Sequence, residues 1–330
     1  MLSGSEDVSI EQNLTGDDML YISENMDLRL QNTAVSLGKF DGVHRGHRLL
    51  IDRILKEKEK GYTSVVFTFS LHPMSLFSDK ELELIDTEEE KIEKLQNLGV
   101  DVLISYPFTK ETANTEPEDF VRKVLVEQLD AKVIVVGSDY RFGKQRKGDV
   151  ELLRKLSLEY GYELVVYDKL QIKHHIVSST LIRNEISAGH MEFVEELLGE
   201  PYKVEGEVVY GNQIGRTIGA PTVNQLVSST KLMPPNGVYA SRVRMNGKIY
   251  DGVTNIGYKP TVTDKKVKGV ETHIFDYEGD LYGKNIIVEL LHYTRAEKRF
   301  ASVDELKQQI QKDSNMAREY LSKRETFIME

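Results

Sequence analysis

The chain has 330 residues, 43 of them basic and 53 acidic, so its formal charge is −10 and its length predicts two domains of ordinary size. It contains no cysteine, which excludes disulfides, thiolate-bound zinc, iron–sulfur clusters and thiol nucleophiles; any catalysis must use oxygen, nitrogen or a hard metal ion. Residues 1–200 carry a net −13 and residues 201–330 a net +3, a poor balance for neutralising nucleic-acid phosphates, and no run approaches the roughly 20 apolar residues of a membrane span.

Residues 1–18 are polar, acidic and without periodicity, and read as a flexible extension rather than a leader peptide. The expected location is the cytoplasm. From residue 19 to 199, short β-rich runs alternate with helical stretches, the pattern of successive βαβ units around a parallel sheet. Strands are expected at 33–37, 64–69, 101–105, 132–137 and 163–167, and their continuous apolar character suits burial on both faces. Between them, Leu50, Ile51, Ile54 and Leu55 form a helical stripe that stops at Gly61. Thr87–Glu90 and Thr115–Glu118 each read as a capping box, the second with Pro117 in the first turn and Phe120, Val121, Val124 and Leu125 facing inward. Two short helices are expected at 178–187 and 190–198, then a boundary at Gly199-Glu200-Pro201.

In residues 200–330 the hydrophobic period changes to two, at 202–210, 238–243 and 286–290, and Asn246-Gly247 signals a two-residue hairpin. This predicts a small antiparallel domain, closed as a barrel. A last helix starts at a capping box, Ser302–Glu305, and carries Leu306, Ile310, Tyr320 and Leu321.

The segment Gly38-Lys39-Phe40-Asp41-Gly42-Val43-His44-Arg45-Gly46-His47 follows the first expected strand and opens the first helix. Strand carboxyl ends and helix N-termini in such sheets favour anions, glycines let a phosphate approach the backbone, and His44 and His47, three apart, can face one point. Read alone, two histidines at that spacing also fit half a metal site, although no HExxH accompanies them and the other histidines of this half are His72, the pair His174-His175, and His190. The run Arg141–Lys147 holds Arg141, Lys144, Arg146 and Lys147 without an acid; it reads either as a solvated face or as a clamp on a phosphate.

The wording of 38–47 resembles the HxGH nucleotidyltransferases and, in full, the adenylyltransferase half of bacterial bifunctional FAD synthetases. Thr68–Pro73, Val136–Gly143 and Val177–Arg183 resemble three further motifs of that family in the same order. The resemblance implies a Rossmann-like domain that binds ATP through Gly38, Phe40, Asp41, Gly42, His44, Gly46, His47, Ser178, Ser179, Thr180 and Arg183. It implies that His72, Pro73, Gly137, Asp139, Arg141, Phe142 and Gly143 serve the FMN or phosphate side.

In the second domain no Walker A or GxGxxG sequence occurs. Gly215–Asn224 instead resembles the riboflavin kinase motif, and Val270–Asp276 and Asp280–Lys284 resemble two more segments of that enzyme. The resemblance implies ATP binding by Gly215, Arg216, Gly219, Pro221, Thr222 and Asn224, with Thr222 and Asn224 on Mg²⁺ or another divalent cation. It implies Glu271 as catalytic base and Asp276 and Arg295 on the flavin side. The expected protein is α/β plus β, a kinase making FMN from riboflavin and ATP and an adenylyltransferase making FAD from FMN and ATP. ATP, riboflavin and FMN are the expected small-molecule partners, with no nucleic acid and no membrane, and a homo-oligomer is left open. The alternatives are an adenylyltransferase whose barrel binds flavin without kinase activity, because Ala220 stands where the motif has phenylalanine, and a non-enzymatic, flavin-responsive RNA-binding barrel.

Overall fold

The computed structural model describes residues 19–70, 83–211, 220–259 and 267–328. The chain forms two compact units: one runs to Ile176 apart from Glu83–Thr87, and the other holds Glu83–Thr87 and everything from Val177. The 1–18 extension, His72, Pro73, Gly215, Arg216 and Gly219 lie outside the described residues.

The first unit is built on six parallel strands, β1 (Leu20–Ser23), β2 (Thr33–Leu37), β3 (Thr63–Phe69), β4 (Val102–Tyr106), β5 (Ala131–Gly137) and β6 (Glu163–Tyr167), in the order β1-β4-β3-β2-β5-β6. The continuous apolar runs are explained by cover on both faces. Val35, Leu37, Val65, Phe67 and Ile134 share a core with Phe120, Val121, Leu125 and Leu153. The alternate residues Ala34, Val66, Leu103, Val133 and Val135 pack instead on α1 (Arg45–Lys56) through Leu50, Ile51 and Ile54, and on Leu95 of α2 (Glu88–Asn97). Strand β1, which carries no turn or periodicity signal, joins the edge beside β4, with Leu20 opposite Val102.

The Thr115 capping box does not form. Thr115 Oγ1 donates back to the Glu111 carbonyl at 3.2 Å, ending the short helix α3 (Lys110–Ala113), and Pro117 follows a Glu116 N-cap whose side chain makes no capping bond. The reciprocal cap sits six residues earlier, between Thr109 and Thr112. From α4 (Pro117–Asp119) the chain continues as a π-helix, Phe120–Gln128, that buries the four residues expected to face inward.

Strand order reverses beside β2, whose neighbours are β3 on one side and β5 on the other. In such sheets the ligand crevice lies outside the carboxyl ends of the strands at that switch point, here the loops after Leu37 and Gly137.

The first unit ends in a two-stranded antiparallel sheet, β7 (Gln171–Ile172) with β8 (His175–Ile176). In the second unit, β9 (Tyr202–Val209), β10 (Val223–Leu226), β11 (Gly237–Met245), β12 (Lys248–Lys259), β13 (Val267–Ile274) and β14 (Asn285–Ala296) close an antiparallel barrel in the order β10-β13-β12-β11-β14-β9. The Asn246-Gly247 turn has both residues at positive φ, 50° and 70°, as a two-residue primed hairpin requires. Strand alternation points Val238 and Ala240 outward onto Ala317 and Leu321 of the terminal helix (Val303–Ile328), while Tyr239, Ser241 and Val243 turn inward. The helices Ser179–Ala188 and Met191–Leu198, which the sequence grouped with the parallel sheet, belong to this unit. Glu192 bonds His292 at 2.6 Å, Glu195 pairs with Arg324, and a Cβ on Gly189 would touch the Tyr293 ring.

Candidate active sites

Helix α1 begins at His44, whose Nδ1 accepts the His47 backbone N–H at 3.2 Å. That cap uses the Nδ1 lone pair, so the neutral His44 ring carries its proton on Nε2, a donor. The His47 ring stacks on it, with centroids 3.6 Å apart and planes 13° from parallel, and Phe40 packs against His47 from another side at 5.1 Å. Burial, with the neighbouring His44 imidazole adding to it, holds His47 well below the ordinary 6.5. His47 Nδ1 is buried without a hydrogen-bond partner among the described residues.

The loop that delivers this pair is strained. Phe40, Gly42 and Val43 have φ of 49°, 85° and 32°, and a β-branched residue in that region costs on the order of 1–3 kcal/mol. Gly38 leaves room for the buried Phe40 ring, which a Cβ would meet at 3.1 Å, and a Cβ on Gly46 would press the His44 ring at 3.2 Å. The first four N–H groups of α1 and its positive dipole end therefore stand beside the two imidazoles at the switch point, an arrangement suited to a polyphosphate.

After β5, the Phe142–Gly148 bridge closes a loop over the basic run, with reciprocal backbone bonds of 3.1 and 3.0 Å. Two of its cations are in ion pairs, Arg141 with Asp149 at 2.5 Å and Lys144 with Glu116 at 2.8 Å, and Asp139 pairs with Lys169 at 2.8 Å. Phe142 is buried on Phe120, and Gly143 passes so close to Pro117 that a Cβ would lie 2.8 Å from it. Both support the loop from beneath. Among the described residues the Arg146 side chain has no ion pair. Ser178, Ser179, Thr180 and Arg183 belong to the second unit: Ser178 Oγ caps its helix by accepting from Leu181 N–H at 3.2 Å, and Arg183 donates to the Glu83 carbonyl.

The barrel unit holds a cavity of about 590 Å³. One register row crosses it: Asn224 on β10 is paired with Glu271 on β13, Glu271 with Asn255 on β12, Asn255 with Val238 on β11, and Val238 with Arg295 on β14. All five line the cavity. Thr222 Oγ1 donates to Glu271 Oε1 at 2.5 Å, which fixes that carboxylate and leaves the threonine lone pairs open. Gly211 makes space for Asn224, since a Cβ there would fall 2.2 Å from Nδ2. At the same end, Tyr210 stacks on Tyr282 with centroids 3.9 Å apart.

Toward the Arg295 end of the row, where Arg295 bonds Asp313 of the terminal helix, Leu306 and Ile310 of that helix, with Phe300 just before it, supply apolar lining. Arg295 lines the cavity but its guanidinium is held: Nε and Nη2 donate to Asp313 at 2.9 and 2.6 Å, and Nη1 to the Ala296 carbonyl at 2.8 Å. Asp276 is not among the lining side chains. Arg318 grips it at 2.9 and 3.1 Å and pulls its carboxyl below the usual range. Sequence reasoning matched the segment Gly252–Gly257 to the family's strand wording but gave Asn255 no role; the strand register is what brings it beside Glu271.

The donor set at the Asn224 end fits a hard divalent cation: a hydroxyl, an amide oxygen and a carboxylate, all oxygen, with a glycine holding the cradle open. Among the described residues no group of three His, Cys, Asp or Glu side chains could hold a metal ion.

The FAD synthetase family matches residues 27–181 and the riboflavin kinase family residues 198–321. A bifunctional riboflavin kinase/FMN adenylyltransferase of Bacillus subtilis is 36% identical over 295 residues, covering 88% of this chain and 93% of that one. The protein of the same name from Escherichia coli K12 is 38% identical over 293 residues, with the same shares covered. A solved chain described as a macrolide-efflux protein from Streptococcus pneumoniae superposes with a TM-score of 0.82 at 30% identity, over 91% of this chain and 99% of that one. Two family matches in tandem, each on the unit whose geometry suits it, and relatives that match along both units together place this chain in the bifunctional riboflavin kinase/FMN adenylyltransferase family.

Proposed function

We propose that the barrel unit phosphorylates riboflavin with ATP and that the HxGH loop of the parallel-sheet unit takes part in joining the resulting FMN to AMP. The observation that carries the kinase assignment is the Thr222–Glu271 bond beside Asn224 at one end of the cavity. In the first reaction the terminal ribityl oxygen attacks the γ-phosphorus of ATP, Glu271 accepts its proton, and ADP leaves. Thr222 and Asn224 would hold Mg²⁺, which when bound would neutralise charge on the phosphate oxygens. In the second, an FMN phosphate oxygen attacks the α-phosphorus of ATP and pyrophosphate leaves. The Nε2–H of His44, the His47 ring and the N-terminus of α1 stabilise the charge on the phosphates, and no covalent intermediate is needed. Ser178, Ser179, Thr180 and Arg183 are assigned to ATP on their motif alone, as are His72 and Pro73 to the FMN side and Gly215, Arg216 and Gly219 to the kinase nucleotide.

Nothing among the described residues of the barrel favours an adenylyltransferase without kinase activity. Ala220 is a small buried residue, and the polar ligands around it are retained. Efflux gains no support either, since no described helix is long and apolar enough to cross a membrane. Both reactions consume ATP, which supports a cytoplasmic enzyme.

One chromatographic assay with riboflavin, ATP and Mg²⁺ tests the reading. The wild-type chain should yield FMN and then FAD. Glu271→Gln should lower FMN formation by about 10²–10⁴-fold while still converting supplied FMN to FAD. The double variant His44→Ala, His47→Ala should stop at FMN. Equal loss of both activities in either variant contradicts the division of labour.

A further inference from the structure

Asn255 is half-buried, lines the kinase cavity, and has no side-chain hydrogen bond or ion pair among the described residues. An amide carries two donors and two acceptor sites, and leaving them unmet in a partly desolvated pocket is costly unless water or a ligand meets them. Its neighbours in the register row are Glu271 on one side and the apolar Val238 on the other. Directly opposed side chains on one face of an antiparallel pair lie about 5 Å apart, so the amide stands within one polar group's reach of the carboxylate.

The row also has a direction. Thr222, Asn224 and Gly211 mark the nucleotide end, and Phe300, Leu306 and Ile310 the apolar end where a flat flavin ring can be covered. Between Glu271, which meets the terminal hydroxyl, and the apolar end lies the stretch that the rest of the acceptor's polyhydroxyl chain must cross. Asn255 is the polar side chain of the row in that stretch.

Resting on the kinase reading above, we infer that Asn255 hydrogen-bonds the secondary hydroxyls of the ribityl chain and thereby selects a polyol-bearing flavin as acceptor. Neither Thr222 nor Asn224 can take this part, since both stand on the nucleotide side of the base.

The test compares riboflavin with a flavin whose side chain is a hydroxypentyl group, which keeps the terminal hydroxyl and lacks the secondary ones. Wild-type enzyme should prefer riboflavin in kcat/KM. Asn255→Ala should lower kcat/KM for riboflavin about tenfold, leave the value for the hydroxypentyl flavin unchanged, and leave the KM for ATP unchanged. Retained turnover of the hydroxypentyl flavin doubles as the check that the barrel is folded. An equal fall on both flavins, or no fall on riboflavin, overturns the inference. Absence of FMN with the wild-type chain would instead sink the kinase reading itself, before any variant is made.

Discussion

His47 presents an imidazole that the fold keeps neutral. Burial lowers its pKa first and the stacked His44 lowers it further, so the folded chain refuses a proton that the unfolded chain accepts near 6.5. The sign follows: the stabilisation is fully present above about pH 6.5 and is lost as pH falls from there through the lower folded value. In thermal melts of the full chain, the transition of the first unit should move down on acidification below about pH 6.5, and His47→Gln should flatten that slope. Pyrophosphate should flatten it too, because an anion beside the ring favours the charged form. An NMR titration giving His47 an ordinary midpoint would contradict this account. The motif announced that two histidines stand at a helix start. That one caps the helix through Nδ1 and the other has an Nδ1 without a partner among the described residues is a property of three dimensions, legible only once Phe40 and the strained turn at Val43 have placed the rings.

At the scale of elements, β10 shows where sequence reading stops. Its surroundings are glycine-rich and hold Pro221, a composition that reads as a long loop. Yet Val223–Leu226 pairs with both β9 and β13, and Gln225 secures it by donating to the Ile286 carbonyl at 3.0 Å. The pairing matters because it brings Asn224 level with Glu271. Motif wording identified those two residues separately, whereas their shared row, and the place of Asn255 in it, depends on which strands become neighbours. Gly211 is the element's other requirement. Gly211→Ala should push the Asn224 amide aside, since the three nearest atoms to the new methyl group among the described residues all belong to that flexible side chain. The expected result is a rise of about tenfold or more in the Mg²⁺ concentration for half-maximal kinase activity, with FAD formation from supplied FMN unchanged. A variant with wild-type Mg²⁺ dependence would remove Asn224 from the cation site. Five of the six parallel strands, β2 to β6, were by contrast readable to within a residue from their unbroken apolar runs, whereas the edge strand β1 was not.

At the scale of the whole molecule, the second unit is not a contiguous stretch of chain. Glu83–Thr87 belongs to it although α2 and β4, which follow, belong to the first. Leu84 exchanges backbone bonds with Thr230 and Leu232 at 2.6 and 2.8 Å, and the Ile85 carbonyl accepts from Lys231 Nζ at 2.8 Å and from Tyr202 OH at 3.3 Å. Lys231 is 2% exposed, so its ammonium depends on partners of this kind. No turn signal, composition shift or period change marks residues 83–87, which is why a boundary placed at 199/200 overlooked them. The consequence is measurable. A fragment of residues 177–330 keeps every described barrel strand and helix of the unit, but loses the Ile85 carbonyl that accepts from Lys231 and Tyr202, and two backbone bonds. Each orphaned buried group costs about 1–3 kcal/mol, and each kcal/mol lowers the melting temperature of a domain this size by roughly 2–4 °C. Thermal inactivation of kinase activity should therefore come several degrees earlier in the fragment than in the full chain. A fragment of 200–330 should fare worse still, having lost the Glu192–His292 and Glu195–Arg324 contacts as well. Equal inactivation temperatures for the full chain and the 177–330 fragment would show that the borrowed segment contributes nothing to the barrel.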